Sequence, residues 1–432
     1  MSRSMNRREF LQSSALTGAA VVAGSSSVFA QKNKSPNEKL NIAIVGVANR
    51  GGDNVAGVLH ENIVALCDIN DDYLGAASQR FPGAKTYNDF RLMLEQKDID
   101  AVVVSTPDHV HAAASLAAMH AGHHLYCEKP LAHTVYETRL VTDTARKLKK
   151  VTQMGTQIHA TDNYRRVVEL VQSGAIGEIK EVHVWCDKVW AGKGGRPTEM
   201  PPVPANIHWD LWLGPAPERP YHPTYIPANW RGWWSFGGGT LSDMACHHMD
   251  LPTWALKLKY PDTIEAEGPE NNSETTPAWL IVKYEYPKRD QMPAVKLTWY
   301  NGGKRPHYFA DGVLPNWGDG TLFVGEKGFL LADYGRYLLL PEDKFKDFTP
   351  PAPSIPKSIG HHEEWIQAIK NNNHETTCKF DYSGPLAEAV SLGNVAYRVG
   401  KKLEWDARHL KAKNCPEADE FIQFTPRKGW KI

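Results

Sequence analysis

The chain lacks an excess of charge of either sign, because its 432 residues include 49 Lys and Arg and 49 Asp and Glu. A nucleic-acid-binding protein of this size usually carries a basic face or a high pI. We therefore expect no nucleic-acid partner. The remaining composition, with 42% hydrophobic and 23% charged residues, is typical of a globular protein of two or three domains.

The chain has few cysteines, and their spacing excludes a redox-active CxxC pair and a Cys/His zinc site. The chain has six cysteines, widely scattered, with no CxxC pair and no Cys/His spacing of a zinc motif. Several of them lie in apolar runs, so we expect buried free thiols rather than disulfides. No metal is predicted from the cysteines.

The first 30 residues have the pattern of an export signal. Arg7 and Arg8 precede a mildly apolar stretch that runs to about Gly24, and Val28-Phe29-Ala30 has the small residues of a cleavage site. The stretch is too short, and too rich in Ala, Gly and Ser, to span a bilayer. We predict a twin-arginine signal at 1–30, a linker at 31–39, an exported or periplasmic protein and no integral membrane segment in the mature chain. The alternative is a disordered basic N-terminus.

Residues 40–158 alternate short apolar strands with helical patterns. Such alternation predicts a parallel, doubly wound sheet, the Rossmann dinucleotide-binding fold. The predicted strands are 40–45, 62–67, 101–104 and 124–127, and the predicted helices lie near 51–60, 71–80, 88–96, 110–121 and 134–149.

Residues 159–432 differ in composition, because all fourteen tryptophans lie at Trp185 or later. Strand patterns follow one another here without regular helices between them, which predicts an α+β domain with a large, mostly antiparallel open sheet. These strands are predicted at 181–189, 278–285, 294–299, 321–324 and 329–331. A helical pattern at 384–399 ends at Gly400.

A phosphate-binding loop follows the first predicted strand. Gly46 permits a tight turn, the small Ala48 lets the backbone approach a pyrophosphate, and Gly51 allows close packing of helix on strand. Asn49 and Arg50 complete the loop. The alternative is a tight turn without a ligand.

An acidic residue ends the second predicted strand, twenty-two positions after the first glycine of the loop. Asp68 stands where a carboxylate hydrogen-bonds the ribose 2′-hydroxyl and repels a 2′-phosphate, and no arginine follows it. We therefore predict NAD as the cofactor in preference to NADP.

Two further segments follow the third and fourth predicted strands, at the edge of the sheet where ligands bind. The first contributes Ser105, Thr106, Pro107 and His111 to the predicted cofactor site, and its Asp108 could instead cap the next helix. The second contributes Glu128 and Lys129, and the bond from Lys129 to Pro130 could be cis and rigid. These residues stand in the segments Ser105–His111 and Cys127–Pro130.

A third segment follows a glycine turn at 237–239. Asp243, His247 and Asp250 are spaced i, i+4 and i+7, so they share one face of a helix. A histidine held by a carboxylate suits proton transfer near neutral pH. Two alternatives stay open: a satisfied core histidine, and a zinc or iron site formed by Asp and two His, although no HExxH motif accompanies it.

The order and spacing of these motifs resemble one family. The loop at Gly46, the segment 106–111, the Glu-Lys-Pro at 128–130 and the segment 237–250 are similar to those of the glucose–fructose oxidoreductase / inositol dehydrogenase (Gfo/Idh/MocA) family. The resemblance implies a Rossmann domain joined to a second domain whose open sheet often forms dimers or tetramers. It implies an NAD(P)-dependent oxidoreductase that acts on a sugar, polyol or cyclitol.

The same resemblance implies roles for three residues. Lys129 would stabilise the reacting oxygen, His247 would take the hydroxyl proton, and Asp243 would orient His247. Tyr164, Arg165, Arg231 and His248 are weaker candidates for substrate contacts. Trp230, Trp233 and Trp234 could stack on a sugar or belong to the core.

Two rival functions stay open beside a dehydrogenase whose cofactor is tightly retained. One is an NAD-dependent glycosidase or lyase, which oxidises a sugar carbon transiently and ends without net redox change. The other is a non-catalytic sugar-binding protein, which the presence of Lys129, Asp243 and His247 disfavours.

Overall fold

A computed structural model describes residues 38–432 of the chain. The predicted export signal at 1–30 and all but the last two residues of the predicted linker at 31–39 lie outside this range. Within the range, no helix is both long enough and apolar enough to cross a membrane.

The first half forms a six-stranded parallel sheet with the strand order 3-2-1-4-5-6. The order reverses between β1 and β4, and this switch point is where open α/β sheets bind ligands. The strands are β1 (Asn41–Val45), β2 (Asn62–Cys67), β3 (Lys85–Tyr87), β4 (Ala101–Val104), β5 (His124–Cys127) and β6 (Thr152–Met154). The predicted Rossmann fold is confirmed.

Helices cover both faces of this sheet. They are α1 (Arg50–Gly57), α2 (Asp71–Arg80), α3 (Phe90–Met93), α4 (Asp108–His120) and α5 (Val135–Lys147). All five predicted helices exist, although the one expected over 88–96 is only the four residues of α3. The strands β3 and β6 were not predicted, because three residues are too few to show a periodic pattern.

The second half is built on a nine-stranded sheet with the order 13-12-11-7-10-9-8-14-15. Only β7 and β10 pair in parallel, so the prediction of a mostly antiparallel sheet is confirmed. The strands are β7 (Ile179–Cys186), β8 (Thr263–Glu267), β9 (Leu280–Tyr286), β10 (Val295–Asn301), β11 (Asp319–Gly325), β12 (Gly328–Ala332), β13 (Tyr337–Leu340), β14 (Leu403–Asp406) and β15 (Lys411–Ala412).

Seven α-helices follow α5 in the described chain. They are α6 (Asp162–Gln172), α7 (Trp209–Leu213), α8 (Gly239–His248), α9 (Asp250–Ala255), α10 (His361–Lys370), α11 (Phe380–Val399) and α12 (Asp419–Ile422). As predicted, the long helix α11 ends at Gly400, which adopts the left-handed conformation at φ 65°.

One helix of the second half packs in the core of the first. Trp365 and Ile366 of α10 are fully buried in the same hydrophobic cluster as Ile42 and Ile44 of β1. We predicted a domain boundary after residue 158. The helix α10 lies beyond this boundary in the sequence, but its apolar face packs in the core of the first half. All six cysteines are buried and free, as expected.

Candidate active site

A cavity of about 750 Å³ opens at the carboxyl ends of β1, β2, β4 and β5. Val45 and Cys67, the last residues of β1 and β2, form part of its wall, together with Ser105 and Glu128 directly after β4 and β5. Residues from the second half complete the wall. The cavity therefore joins the switch point of the first sheet to helix α8 and the segment before it.

Sterics explain the glycines of the predicted phosphate loop. Gly46 has a φ of +85°, and a Cβ atom there would lie 2.6 Å from the carbonyl oxygen of Ser105. A Cβ at Gly51 would lie 2.1 Å from the carbonyl oxygen of Gly46. Because no side chain fits at either position, the loop can turn tightly and present the first residues of α1 to the cavity. Ala48, Asn49 and Arg50 line the cavity beside Gly46.

Backbone amides fix the carboxylate of Asp68 at the wall of the cavity. Its Oδ2 accepts a hydrogen bond from the amide of Val47 at 3.0 Å, and its Oδ1 accepts one from the amide of Asn70 at 2.9 Å. Burial raises the pKa of Asp68 and these amides lower it, leaving a net rise. This rigid acceptor beside the glycine loop fits the ribose hydroxyls of NAD and disfavours a 2′-phosphate.

Glu128 connects the loop to the end of β5. Its Oε1 accepts hydrogen bonds from Arg50 Nε at 3.1 Å, Asn54 Nδ2 at 2.9 Å and Gln157 Nε2 at 2.8 Å. Such a shared, buried acceptor holds the start of α1 at a fixed distance from the residue that follows, Lys129.

Lys129 and Asp243 form the ion pair at the centre of the cavity. Lys129 Nζ donates to Asp243 Oδ1 at 2.7 Å and to the Asp243 carbonyl oxygen at 2.6 Å. Arg231 Nε donates to the same Oδ1 at 2.8 Å. Burial raises the pKa of Asp243, but the two cations outweigh burial and hold this pKa well below its usual range. The bond from Lys129 to Pro130 is cis, as the sequence suggested.

His247 lies one helical turn after Asp243 and also lines the cavity. Neither nitrogen of its imidazole has a hydrogen-bond partner among residues 38–432. Burial and the nearby Lys129 lower the pKa of His247 well below 6.5, so its ring is neutral at pH 7. The expected hydrogen bond from His247 to Asp243 is absent among the described residues, and Asp243 Oδ1 instead accepts from Lys129 and Arg231.

The remaining cofactor-site predictions divide between wall and core. Ser105, Thr106 and Pro107 line the cavity, as do Glu128 and Lys129. His111 does not, because its ring is buried between the carbonyl oxygens of Pro130 at 2.7 Å and Thr106 at 2.8 Å. Gly51 also lies behind the wall, where it packs on Gly46.

Three of the four weaker substrate candidates lie in the core, and only Arg231 reaches the cavity. The Tyr164 hydroxyl donates to the carbonyl oxygen of His247 at 3.1 Å, and Arg165 forms an ion pair with Glu364 at 3.2 Å. The ring of His248 is buried against Tyr334. The hydrogen-bonding groups of these side chains have protein partners, as is usual for buried polar residues.

Sequence reasoning missed several residues of the reaction end. Tyr334 precedes β13, and Lys188 follows β7, yet both line the cavity that His247 also lines. Of the three candidate tryptophans only Trp230 reaches the wall, while Trp233 and Trp234 are buried elsewhere. The missed residues stand in loops without a motif, so no signal in one sequence identifies them.

The described residues do not support the alternative of a zinc or iron site at Asp243 and His247. Two clusters of potential metal ligands occur within residues 38–432, and neither contains Asp243 or His247. The clusters are His159, Asp250 and Cys378, and Cys186, His248 and Asp319.

Comparison with known sequences places both halves in one family. The family sequence model described as "Oxidoreductase family, NAD-binding Rossmann fold" matches residues 40–156, and the model for "Oxidoreductase family, C-terminal alpha/beta domain" matches residues 162–294. Together the two ranges cover more than half of the 432 residues.

Individual relatives are distant. An inositol 2-dehydrogenase of Salmonella paratyphi B is 31% identical over 153 residues, which are 33% of this chain and 45% of the relative. A glycosyl hydrolase family 109 protein of Shewanella pealeana is 28% identical over 202 residues, 40% of this chain and 44% of the relative. The chain thus spans less than half the length of these curated relatives.

The fold is shared with solved dehydrogenase structures. The WlbA dehydrogenase from Bordetella pertussis, in complex with NADH and UDP-GlcNAcA, has a TM-score of 0.61 and 18% sequence identity. The similarity covers 86% of this chain and 98% of that protein.

Proposed function

The chain belongs to the Gfo/Idh/MocA family of NAD-binding oxidoreductases, and we propose that it oxidises a hydroxyl-bearing carbon of a sugar, polyol or cyclitol. The observation that carries the proposal is the ion pair of Lys129 and Asp243, which lies in the same cavity as the glycine loop and Asp68. The names of an inositol 2-dehydrogenase and a levoglucosan dehydrogenase among the similar sequences support the substrate class.

The cofactor end of the cavity has the groups that hold NAD. The loop at Gly46–Arg50 and the start of α1 would face the pyrophosphate, and Asp68 would accept from the adenosine ribose. When bound, NAD supplies a two-electron acceptor for the hydrogen on the oxidised carbon. Ser105–Pro107 and Glu128 would hold the other end of the cofactor toward Lys129.

Lys129 is arranged to hold the oxygen of the substrate. An ammonium group has three donors, and Asp243 receives two of them through its carboxylate and its carbonyl oxygen. The third donor is free to bind the substrate hydroxyl and to stabilise the negative charge that develops on its oxygen. Asp243 thus holds Lys129 in position, whereas the family resemblance implied that it orients His247.

His247 lines the same cavity as Lys129, and its imidazole ring is neutral. A neutral imidazole can accept a hydrogen bond from a substrate hydroxyl, and the family resemblance gives it the role of proton acceptor. Arg231 is fixed by Asp243, and its guanidinium stacks on Trp230 at 4.2 Å, which gives the cavity a polar and an aromatic surface for a sugar.

We propose in addition that the protein is exported through the twin-arginine route, acts in the periplasm and forms a homo-oligomer, a dimer or tetramer. The twin arginines and the small residues before Gln31 support export. A compartment with little free NAD favours a protein that retains its cofactor and regenerates it within the site. Cell fractionation and light scattering of the purified protein test these two proposals.

A second candidate function is an NAD-dependent glycosidase or lyase, which the similarity to a glycosyl hydrolase family 109 protein favours. The same Lys129, Asp243 and His247 would begin that reaction by the same oxidation. The two functions differ in outcome, because the hydrolytic reaction ends with a cleaved bond and an unchanged cofactor.

One experiment tests the cofactor and the reaction together. The natively folded protein is purified without added nucleotide, dialysed extensively and examined by mass spectrometry for nicotinamide. A panel of sugars, cyclitols and glycosides is then added while absorbance at 340 nm and product formation are recorded. Reduction of the nicotinamide supports the dehydrogenase, and bond cleavage without lasting reduction supports the glycosidase or lyase. No reaction with any of them would contradict both.

A further inference from the structure

Asp68 marks the end of the cavity where the adenosine half of NAD would lie, since a carboxylate at this position binds the adenosine ribose. Residues from the second half of the chain form part of the wall at this end. They are Ile207, Leu211 and Trp430, which line the cavity together with Phe90 of the first half. Apolar and aromatic side chains of this kind suit the flat, weakly polar faces of an adenine ring.

A segment just before α7 is bonded to the loop that follows Asp68. The amide of Asp71 donates to the carbonyl oxygen of Asn206 at 2.9 Å. The amide of His208 donates to the carbonyl oxygen of Ile69 at 2.9 Å. Because both bonds join backbone to backbone, they fix the path of this segment beside the predicted ribose site.

An isolated antiparallel bridge and a side-chain hydrogen bond strengthen the same junction. Asn70 and Ile207 are the bridged pair. The side-chain amide of Asn206 donates to Asp72 Oδ2 at 2.6 Å. Ile207 therefore keeps its place on the cavity wall, because the residues on both sides of it are bonded to the loop of Asp68.

A second segment, 427–430, is fastened to α7 and to the residues that follow this helix. The Arg427 amide donates to the carbonyl oxygen of Pro215 at 3.0 Å, and its Nε donates to that of Gly214 at 3.1 Å. Its guanidinium also pairs with the carboxylate of Asp210 and donates through Nη2 to the Asp210 carbonyl oxygen at 2.8 Å. One arginine therefore anchors this segment through both its backbone and its side chain.

Trp430 connects this second segment to α3 of the first half. The centroids of its ring and the ring of Phe90 are 5.9 Å apart, and the guanidinium of Arg91 lies over the indole at 4.3 Å. Trp430 is outside both ranges of the chain that the family sequence models match, 40–156 and 162–294. This part of the wall is therefore a feature of the present chain and does not follow from the match to the family.

We propose that residues 206–211 and Trp430, which we call the adenosine cover, close over the adenosine half of NAD, so that the nucleotide leaves only when the cover is displaced. The inference rests on the proposed retention of the cofactor, and it assigns that retention to particular residues. An enclosed ligand dissociates slowly, because the enclosing segments must open first. The cover would therefore slow the release of NAD far more than it changes the reaction.

The position of the cover separates release of the nucleotide from exchange of the sugar. Its hydrogen bonds go to the loop after Asp68 and to Arg427, whereas Lys129 and His247 belong to the reaction end of the cavity. A sugar can accordingly enter and leave while the cover stays closed over the nucleotide. That division suits an enzyme that exchanges its substrates and keeps its cofactor through successive cycles.

The test compares Trp430→Ala with Trp430→Phe and with a matched control, Trp279→Ala. Trp279 is also half-buried and also has a cation over its ring, Lys304 Nζ at 4.1 Å, but it lies outside the cavity wall. Each protein is loaded with NADH and mixed with an excess of NAD. The change in NADH fluorescence then gives the rate at which the bound nucleotide leaves, and thermal melting establishes that each variant folds.

A further variant removes the anchor of the second segment and leaves the indole in place. Arg427→Ala loses the side-chain contacts to Asp210 and Gly214. Its control is Arg146→Ala, since Arg146 pairs with Asp381 at 2.6 Å outside the cavity wall. If Trp430→Ala did not fold, the comparison of these two arginine variants would decide the question.

We expect Trp430→Ala to speed the release of NADH by about 10–100-fold, because loss of an aromatic contact with a base has an effect of about this size. Trp430→Phe should restore most of the slow release, and Arg427→Ala should speed release by about tenfold. Trp279→Ala and Arg146→Ala should match the wild type. Release from Trp430→Ala and Arg427→Ala at the wild-type rate would overturn the inference.

The same measurement separates the cover from the proposed retention. Slow release from the wild type and from every variant alike would leave retention standing and refute the cover. Fast release from the wild type would refute retention, and the cover with it, while oxidation of a sugar by added NAD could still proceed. Slow release from the wild type and fast release from Trp430→Ala and Arg427→Ala would support both.

Discussion

The two ends of the cavity are assembled in different ways. Most of the cofactor end comes from one stretch of chain, because Gly46, Ala48, Asn49, Arg50 and Asp68 follow two successive strands. The reaction end draws on separate segments, which contribute Asp108, Lys129, Arg231, Asp243, His247 and Tyr334. The first end is a local motif, whereas the second exists only in the folded chain.

This difference predicts how substitutions at the two ends should behave. A change at the cofactor end should weaken NAD binding and leave the loaded enzyme able to react. A change at the reaction end should slow the reaction and leave NAD binding nearly intact. Any substitution that affects both quantities equally would show that the two ends are one functional unit.

The largest effect is expected for Lys129→Ala at the reaction end. Turnover should fall by about 10²–10³-fold, because the substrate oxygen loses its charged donor. NAD affinity, measured by fluorescence titration, should change by less than about threefold, and thermal melting should establish that the variant folds. Lys147→Ala removes an exposed lysine of α5 as the control. Turnover like that of the wild type would refute the role of Lys129.

The next largest effect is expected at the cofactor end, where the chain offers a matched pair of glycines. Gly51→Ala places a Cβ atom 2.1 Å from the Gly46 carbonyl oxygen, whereas the nearest atom to a Cβ at Gly52 is 3.8 Å away. The first substitution should destabilise the fold by about 1–3 kcal/mol and weaken NAD binding by at least about tenfold. Gly52→Ala should be neutral or slightly stabilising. Equal effects of the two would mean that packing of the loop does not determine NAD affinity.

Sequence reasoning was most successful where the chemistry is local. The sheet of the first half and the loop at Gly46 follow from strand–turn–helix patterns. Ten of the twelve residues predicted at the cofactor site line the cavity, and only Gly51 and His111 lie in the core. Those ten are Gly46, Ala48, Asn49, Arg50, Asp68, Ser105, Thr106, Pro107, Glu128 and Lys129.

The helical spacing of Asp243 and His247 was read correctly, but their interaction was not. The i, i+4 spacing permits a hydrogen bond between Asp243 and His247. In the folded chain, however, Lys129 and Arg231 come from distant parts of the sequence and bind the carboxylate of Asp243. Tyr164, Arg165 and His248, which were predicted as weaker substrate contacts, lie outside the cavity wall for a related reason. Each is a polar residue on a helix, and only the fold reveals that Glu364, Tyr334 and backbone carbonyl oxygens already satisfy them.

A smaller effect, confined to the cofactor end, is expected for Asp68→Ala. Loss of the carboxylate removes an acceptor from the ribose and the repulsion of a 2′-phosphate, so the preference for NAD over NADP should shrink by about tenfold. Fluorescence titration with both nucleotides measures the change. Asp72→Ala, which removes an exposed charge of α2 outside the cavity, should leave the preference unchanged. Tighter binding of NADP by the unmodified protein would contradict the choice of cofactor.

The smallest effect is expected for a substitution of Glu137, which lies outside both ends of the cavity. It should change the stability of the fold and leave turnover and NAD binding unchanged. Glu137 caps α5, its Oε2 accepts from the amide of Thr134 at 2.8 Å, and its buried Oε1 has no partner among the described residues. Burial raises the pKa of Glu137 to about 7 in the folded protein, above its usual value near 4.5. The folded state therefore binds more protons between these values, and this contribution to stability is lost as pH rises from about 5 to 8.

Glu137→Gln, whose amide does not titrate, should therefore gain about 2 °C in melting temperature relative to the wild type between pH 5 and pH 8. Turnover and NAD affinity of Glu137→Gln should equal those of the wild type, since the side chain is not part of the cavity wall. A changed pH profile of turnover in Glu137→Gln would contradict the purely structural role of this buried acid.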